Sequence, residues 1–207
     1  MRISDYAPDA AALRDVCRRF GERGWCRATS GNFSTRIDDG HCLITQSGRD
    51  KSRLGDDDLM LCDLAGKALD AACRPSAETA LHCALYKLDS TIGAVLHTHS
   101  VTATVLSKNG GDQLRIRDFE MQKALAGVTT HNDAVSIKIF ANDQDMQALA
   151  GRVSDAWHAG ELAAPGFLIA GHGLYAWGRT LDEAVRHVEG FEFLFDCVWQ
   201  EALARLP

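Results

Sequence analysis

Apolar residues recur at helical spacing at the start of the chain and at strand-like spacing after it. Leu13, Val16 and Phe20 predict a helix over roughly residues 9–23, which ends near Gly24. Short strand-like segments follow at residues 32–37, 42–45 and 59–63, and the turn Asp38-Asp39-Gly40 separates the first two. The first third of the chain is therefore predicted to be one helix followed by three short strands.

The rest of the chain alternates between the two kinds of element. Pro75-Ser76-Ala77-Glu78 predicts the start of a helix, because Ser76 is a good N-cap and Glu78 would lie in the first turn, where the helix dipole favours a carboxylate. The apolar pattern predicts four further strands, at residues 92–96, 134–140, 167–170 and 174–177. It also predicts helices at residues 101–107, 143–159 and about 180–206, the last of them long and amphipathic.

This order of elements indicates the fold class. Helices and strands alternate, and short turns alone separate several of the strands, so we expect an α/β layered fold with a mixed sheet instead of a purely parallel one. The 207 residues suffice for a full hydrophobic core, and no linker, repeat or low-complexity stretch interrupts them. We therefore expect residues 1–207 to form a single domain.

Charge, hydropathy and cysteine content narrow the functional classes. The chain has 22 basic and 28 acidic residues, a net charge of -6, and no basic stripe, which argues against nucleic-acid binding. Its apolar stretches are too short to span a bilayer, and its first residues lack the apolar core of a signal peptide, so we expect a soluble, cytoplasmic protein. The seven cysteines, without Cys-x-x-Cys spacing, signal neither a disulfide framework nor a cysteine-rich zinc site. We expect most of them to be small buried apolar residues.

Three histidines form the strongest chemical signal. His97 and His99 follow a predicted buried strand, and residues two apart on a strand point to the same side. His172 lies between two glycines, which allow a close turn around it. Three imidazoles suit catalytic zinc, although they also suit other transition metals. The alternative is that the His-x-His pair is only a strand end with two polar residues.

Three segments of small residues suggest a phosphate site. Ser30-Gly31-Asn32, Gln46-Ser47-Gly48 and Pro75-Ser76 offer hydroxyl or main-chain N–H groups in tight turns, and the last of them opens a helix. Arg49 and Lys51 follow closely and would add positive charge. Each segment alone is also an ordinary turn or N-cap. Their occurrence together with the histidines favours the functional interpretation.

Five segments occur in the order typical of one family: Ser30-Gly31-Asn32, Ser47-Gly48, Pro75-Ser76-Ala77-Glu78, His97-Thr98-His99-Ser100 and Gly171-His172-Gly173. These segments resemble those of the class II aldolase/adducin family, and the resemblance extends from about residue 10 to residue 200. The resemblance implies a three-layer α/β/α sandwich with a central mixed, largely antiparallel sheet, and a homotetramer with active sites near subunit interfaces. It implies one zinc ion per subunit on His97, His99 and His172. It also implies a pocket for the phosphate of a sugar-phosphate substrate, formed by Ser30, Gly31, Asn32, Ser47, Gly48 and Ser76.

Within the family, residues 47–51, 75–79 and 119–127 resemble the members that dehydrate 5-methylthioribulose 1-phosphate to 2,3-diketo-5-methylthiopentyl 1-phosphate, a step of methionine salvage. This resemblance makes Glu120 the expected general acid/base, with a raised pKa that would let it donate a proton near neutral pH. Glu78 is the second candidate, because it matches the catalytic acid/base of the aldolases. Ala77 stands where aldolases typically carry a second serine, which weakens an aldolase interpretation.

Alternative functions and pocket walls stay open at this point. A sugar-phosphate aldolase or epimerase would share the zinc and phosphate residues, and an adducin-like binding module without catalysis would be expected to lack the three histidines. Phe119, Met121 and the aromatic residues near Trp177 are candidate walls for the methylthio tail, although each is equally compatible with the core. Glu78 and Glu120 also have a simpler interpretation, as a helix first-turn acid and a surface residue.

Overall fold

The computed structural model describes residues 1–206 and contains one eight-stranded sheet. The strand order is β3-β2-β1-β4-β8-β7-β6-β5, and neighbouring strands are antiparallel except for the parallel pair β6–β7. The strands are β1 Asn32–Arg36, β2 His41–Thr45, β3 Leu59–Asp63, β4 Ala94–Thr98, β5 Gln113–Ile116, β6 Val135–Phe140, β7 Gly166–Ile169 and β8 Gly173–Gly178. The predicted mixed, largely antiparallel sheet is therefore confirmed.

The helices lie close to their predicted positions. They are α1 Ala7–Glu22, α2 Thr79–Leu88, α3 Val101–Asn109, α4 Met146–His158 and α5 Leu181–Ala204. Short 3-10 helices occur at Ile3–Tyr6, Lys51–Arg53, Asp56–Asp58 and Glu120–Ala124. Strand β5 was not predicted, because this four-residue edge strand has one fully buried side chain, Ile116, and so carries almost no apolar alternation.

Two hydrophobic cores show that the sheet lies between two helix layers. Leu96 of β4 belongs to the core formed with α1, α3 and α5, whereas its neighbour Val95 belongs to the core formed with α2 and α4. Adjacent strand residues point to opposite faces, so this division follows from the pleat. Burying one such leucine or valine stabilises the fold by about 1.5–3 kcal/mol before entropic costs. The predicted three-layer α/β/α sandwich is confirmed.

The start of α2 differs from the prediction. The helix begins at Thr79 with Glu78 as its N-cap residue, so Ser76 is not the N-cap and Glu78 is not in the first turn. The Glu78 N–H donates to the Ser76 hydroxyl at 3.3 Å, and the Thr79 N–H donates to the Ser76 carbonyl at 3.1 Å. Ser76 therefore stabilises a turn that precedes the helix, because its hydroxyl accepts a main-chain N–H in competition with the regular helical pattern.

The register of the central strands brings three distant segments together. Asn32, the first residue of β1, lies opposite His97 of β4, and His97 lies opposite Tyr175 of β8. The start of β1, the end of β4 and the turn before β8 therefore meet at one end of the sheet. Strand ends in layered α/β folds are common places for ligand sites.

Most of the cysteines are buried, as the sequence predicted. All seven cysteines are free thiols; five are buried, and Cys73 and Cys197 are half-buried, so the expected small buried role holds for most of them. Among residues 1–206, none of the helices has the length and the hydropathy needed to cross a membrane.

Candidate active site

The three predicted histidines meet at the end of the sheet. His97 is in β4, His99 follows that strand by one residue, and His172 is in the turn between β7 and β8. The turn comes close to β4 because the next residue is Gly173, where a side chain would collide with the Thr98 carbonyl oxygen. Glycine at this position thus allows His172 to reach the His-x-His pair.

The imidazole nitrogens of the three histidines point at one another. The Nε2 atom of His97 is 2.8 Å from that of His99 and 3.4 Å from that of His172. The ring of His97 stacks on the ring of Tyr175, with centroids 4.0 Å apart, which fixes the plane of the imidazole. Three nitrogens facing a common point are the arrangement that a metal ion requires.

Hydrogen bonding and burial favour the ligand form of these rings. The Nδ1 atom of His97 lies 2.8 Å from the Leu174 carbonyl oxygen, which only accepts, so Nδ1 carries a proton and Nε2 is the nitrogen that faces the cluster. Burial, together with the neighbouring histidines, lowers the pKa of His99 to about 3. His99 is therefore neutral, and both rings turn Nε2 to the centre of the cluster.

Glu78, the second candidate acid/base, lies against the histidines. Its Oε1 atom lies 3.2 Å from Nε2 of His97 and 3.0 Å from Nε2 of His172. Burial alone would raise the pKa of Glu78, but the charge of His97 and hydrogen bonds from His172, His97 and Asn32 lower it well below its ordinary value. Glu78 is thus a carboxylate, and it brings one oxygen to three imidazole nitrogens, with all four atoms within 4.8 Å of one another. That donor set fits a zinc ion.

A chain of buried polar side chains holds the second oxygen of Glu78. A carboxylate only accepts, so the Asn32 amide donates to Oε2 at 2.6 Å, and Asn32 Oδ1 then accepts from Nε2 of His82 at 2.9 Å. Nδ1 of His82 must therefore accept from the Ser34 hydroxyl at 2.8 Å, and the Tyr86 hydroxyl donates to Ser34 at 2.8 Å. Burial lowers the pKa of His82 to about 3, which agrees with its neutral form here. The direction of each bond follows from the carboxylate at one end.

The predicted phosphate residues all line one cavity next to Glu78 and His99. They are Ser30, Gly31, Asn32, Ser47, Gly48 and Ser76. Gly31 has a φ of +76°, and a Cβ there would lie 2.7 Å from the carbonyl oxygen of His97, so glycine lets this loop pass close to β4. The Ser30 hydroxyl is buried and has no hydrogen-bond partner within residues 1–206. A ligand with acceptor oxygens would satisfy it.

A buried lysine gives this cavity its positive charge. The Lys51 ammonium donates to the Thr29 carbonyl at 3.1 Å and to the Arg49 carbonyl at 2.7 Å, so it ties together the two loops that carry the serines. Burial lowers the pKa of Lys51 from its ordinary value. The side chain of Arg49, by contrast, pairs with Asp58 at 3.1 Å and does not line the cavity. Of the two predicted cations, the structure places Lys51 in this cavity.

A larger cleft of about 670 Å³ adjoins the same residues. Its further lining side chains come from loops, from α3 and from the start of α4, and no periodic pattern marks them in the sequence: Arg27, Thr104, Asn142, Gln144 and Met146. The candidate tail walls Phe119, Met121 and Trp177 do not line this cleft. Phe119 packs on the core, Met121 is exposed, and Trp177 lines a different cavity, so within one chain none of the three is a wall of this cleft.

Glu120 lies apart from the histidine cluster. It begins the 3-10 helix Glu120–Ala124, its side chain is 71% exposed, and it pairs with Lys123 at 2.6 Å and His131 at 3.1 Å. The hydrogen bond from Lys123, helped by the charges of Lys123 and His131, lowers the pKa of Glu120 instead of raising it. Within one chain, therefore, Glu120 is an exposed carboxylate that lines neither cavity.

Comparison with known proteins identifies the family. A sequence profile described as the class II aldolase and adducin N-terminal domain matches residues 11–199. The chain therefore belongs to the class II aldolase and adducin family. Among curated relatives, the methylthioribulose-1-phosphate dehydratase of Pectobacterium atrosepticum is 54% identical over 93% of this chain and 94% of its own. The enzyme of the same name from Pseudomonas paraeruginosa is 56% identical over 88% and 89%.

Solved structures agree with this family. L-fuculose-1-phosphate aldolase from Thermus thermophilus superposes with a TM-score of 0.76 and is 28% identical, with coverage of 95% of this chain and 96% of that one. A sugar-phosphate aldolase from Thermotoga maritima superposes with a TM-score of 0.71 at 19% identity, covering 98% and 99%. The second likeness shows the fold alone.

Proposed function

We propose that this protein is a zinc-dependent lyase that removes water from 5-methylthioribulose 1-phosphate to give 2,3-diketo-5-methylthiopentyl 1-phosphate, a step of methionine salvage. The proposal rests above all on the convergence of Glu78 and three histidines beside a cavity lined by small-residue loops and Lys51. The dehydratases of that name, which share about half of their residues with this chain over nearly its whole length, support the choice of substrate.

In the proposed site, His97, His99 and His172 hold one zinc ion per subunit. Their three Nε2 atoms already face one point, and the Leu174 carbonyl fixes the tautomer of His97. When bound, zinc supplies Lewis acidity, which makes a proton on the carbon next to a ketone easier to remove. The imidazoles also suit other transition metals, so metal analysis is part of the test below.

The phosphate of the substrate would bind in the cavity between the three small-residue loops. The positive charge of Lys51 would offset the negative charge of the phosphate, and the Ser30 hydroxyl, which has no partner within residues 1–206, would donate a hydrogen bond to it. The adjoining cleft has two apolar lining side chains, Ala77 and Met146, and we propose these as contacts for the methylthio tail. The cavity and the cleft share Glu78 and His99, so a substrate with its phosphate in the cavity would reach the cluster.

The reaction moves one proton from C3 and one hydroxyl from C4. Glu78 is the group we assign to take the C3 proton, because it is a carboxylate held among the histidines. Electrons of the broken C–H bond form the C3–C4 double bond as the C4 hydroxyl leaves with a proton as water. The enol at C3 then becomes a ketone when C4 takes up a proton.

The leaving hydroxyl needs a proton donor, and we assign this role to Glu120. Its exposed position in one chain makes it available to the site of a neighbouring subunit in the expected homotetramer. Large apolar side chains are exposed on α3, on the 3-10 helix of Glu120 and on α5, namely Val101, Met121 and Phe193. Since α5 packs against the other two elements, these side chains support an interface in this part of the surface.

The test combines metal analysis with turnover. Purified protein is assayed for bound metal and for diketone formation from 5-methylthioribulose 1-phosphate, with and without a chelator. At least one zinc ion per chain and chelator-sensitive turnover are the expected results. Bound zinc without dehydration, but with cleavage of L-fuculose 1-phosphate, would replace the proposal with an aldolase. Protein purified without chelator that carries no metal and has no activity would instead favour a binding module.

A further inference from the structure

Three thiols face one another in the interior of the protein. Cys42 of β2 lies directly opposite Cys62 of β3 in the sheet, and their Sγ atoms are 3.3 Å apart. Cys83 of α2 closes the group from the helix layer, and the three sulfur atoms all lie within 4.8 Å of one another. Three separate elements thus bring three sulfur ligands to one point.

The surroundings of this thiol cluster (Cys42, Cys62 and Cys83) are apolar. The cluster belongs to the core between the sheet and the helices α2 and α4, and its three side chains are at most 2% exposed. One main-chain oxygen is near, since the Cys83 thiol lies 3.6 Å from the Asp63 carbonyl. No residue of the cluster belongs to the histidine site, so the two groups of ligands are separate.

The spacing suits a thiolate-bound metal ion. Zinc–sulfur bonds are about 2.3 Å long, so the thiolates of a tetrahedral site are roughly 3.8 Å apart. One pair of sulfur atoms here is 3.3 Å apart, and no pair is farther apart than 4.8 Å. Shifts of less than about 1 Å would therefore complete a three-sulfur site. The Asp63 carbonyl oxygen is placed to approach the fourth position.

The charges also allow binding. A divalent ion with three thiolates carries one net negative charge, far less than three thiolates would carry alone. Burial of ionised thiols in an apolar core is otherwise costly, and a bound cation offsets that cost.

We propose that Cys42, Cys62 and Cys83 form a second metal site, which takes a thiophilic divalent ion of the zinc and cadmium type. Thiolate sulfur selects soft ions, whereas the imidazole and carboxylate donors at the other site are harder. The three cysteines are buried in the core, so the role of the site would be structural: it would join β2 and β3 to the helix whose N-cap residue is Glu78.

The test is a titration with Cd²⁺ followed by thiolate-to-cadmium charge-transfer absorption, which nitrogen and oxygen ligands do not produce. The half-buried Cys73 and Cys197 are replaced by serine in every sample, so that they cannot supply the band. We expect a band that saturates at one Cd²⁺ per chain and is lost in both Cys42→Ala and Cys83→Ala. Cys17→Ala, which removes a buried thiol outside the cluster, should keep it.

Two results would overturn the proposal: absence of the band, or its persistence in the cluster variants. Since a core variant can lose the band by unfolding, cadmium NMR of the protein with all three cluster cysteines intact gives an independent reading. A resonance in the range of three sulfur ligands supports the site, and one in the nitrogen and oxygen range alone contradicts it. Neither reading depends on the dehydratase reaction.

Discussion

Glu78 and Glu120 are the same kind of side chain in opposite surroundings. Glu78 is mostly buried, touches two histidines of the metal cluster and is fixed from behind by Asn32. Glu120 is exposed and pairs with Lys123 and His131 on its own surface segment. The pKa of each is lowered, but by different means: neighbouring imidazoles and hydrogen bonds for Glu78, and mainly the hydrogen bond from Lys123 for Glu120.

The difference teaches that the two groups suit different steps. A carboxylate that is already ionised and held in place beside the histidines can take a proton without any movement of the groups around it. An exposed carboxylate held by a lysine becomes an acid only when its surroundings change, for instance when a second subunit covers it and desolvation raises its pKa. In the proposed mechanism, a single chain would therefore supply the base, Glu78, and a second subunit would be needed for Glu120 to act as the acid.

The largest expected effect is that of Glu78→Gln. Glutamine keeps the size and the hydrogen bond from Asn32 but cannot take a proton, so kcat for dehydration should fall roughly 10³–10⁴-fold. Zinc content, measured by elemental analysis, should stay near the level of the unchanged protein, because three histidines remain as ligands.

The control for this variant is Glu22→Gln, an exposed glutamate that pairs with Arg18 on α1. It should leave both kcat and zinc content unchanged. Activity of Glu78→Gln within tenfold of the unchanged protein would remove Glu78 from the role of base. If Glu78→Gln lost zinc as well as activity, the main role of Glu78 would be that of a zinc ligand.

Glu120→Gln comes next, with an expected fall in kcat of roughly 10²-fold at unchanged zinc content. Whether Glu120 acts across an interface is tested with mixed oligomers that combine Glu120→Gln subunits with His97→Ala subunits, each of which has little activity alone. If Glu120 acts across an interface, sites with histidines from one subunit and Glu120 from the other should restore about one quarter of full activity. A mixture no more active than its two parents would place Glu120 in its own subunit or outside the reaction.

The fold and the histidine site were predictable because their signals are local. Apolar periodicity marked the five helices and seven of the eight strands, and a two-residue spacing at a strand end already implies convergence of His97 and His99. The glycines around His172 signalled a close turn. Even the six phosphate-loop residues, which come from three separate segments, now line one cavity.

Other features depend on contacts between distant segments and leave no local pattern. The approach of Glu78 to the histidines results from how α2 lies against β1 and β4, and His82 had no motif to distinguish it from a core histidine. Cys42, Cys62 and Cys83 are each 20 or more residues from the next, so their convergence follows only from strand register and helix packing. Lining residues such as Asn142 and Gln144 occupy a loop, where sequence gives no periodicity.

A third carboxylate, Glu192, extends the comparison to a site without a nearby cation. It is 1% exposed, accepts a hydrogen bond from Thr98 at 2.8 Å, and burial raises its pKa to about 7 from an ordinary 4.5. The folded state therefore favours the protonated form. Its contribution to stability is full below pH 4.5 and is lost as pH rises to about 7.

We expect the free energy of unfolding to fall by about 3 kcal/mol across this range through Glu192. Glu192→Gln, measured by denaturant unfolding at several pH values, should remove that part of the dependence. The matched control is Glu183→Gln on the same helix, since a hydrogen bond from the Arg179 N–H lowers the pKa of Glu183. An identical pH dependence in Glu192→Gln and the unchanged protein would show that Glu192 ionises normally.

The smallest expected effect comes from His82, which acts on Glu78 only through Asn32. His82→Phe removes the donor to Asn32 Oδ1, frees the amide to rotate and so loosens the orientation of Glu78. Loss of such a supporting contact should lower kcat about tenfold and leave KM within about twofold, because neither cavity is lined by His82. His82→Gln can still donate to Asn32, so its kcat should be close to that of the unchanged protein. If His82 only stabilised the fold, kcat of the two variants would instead change in proportion to their melting temperatures. If both variants keep full kcat, the orientation of Glu78 does not depend on this buried chain.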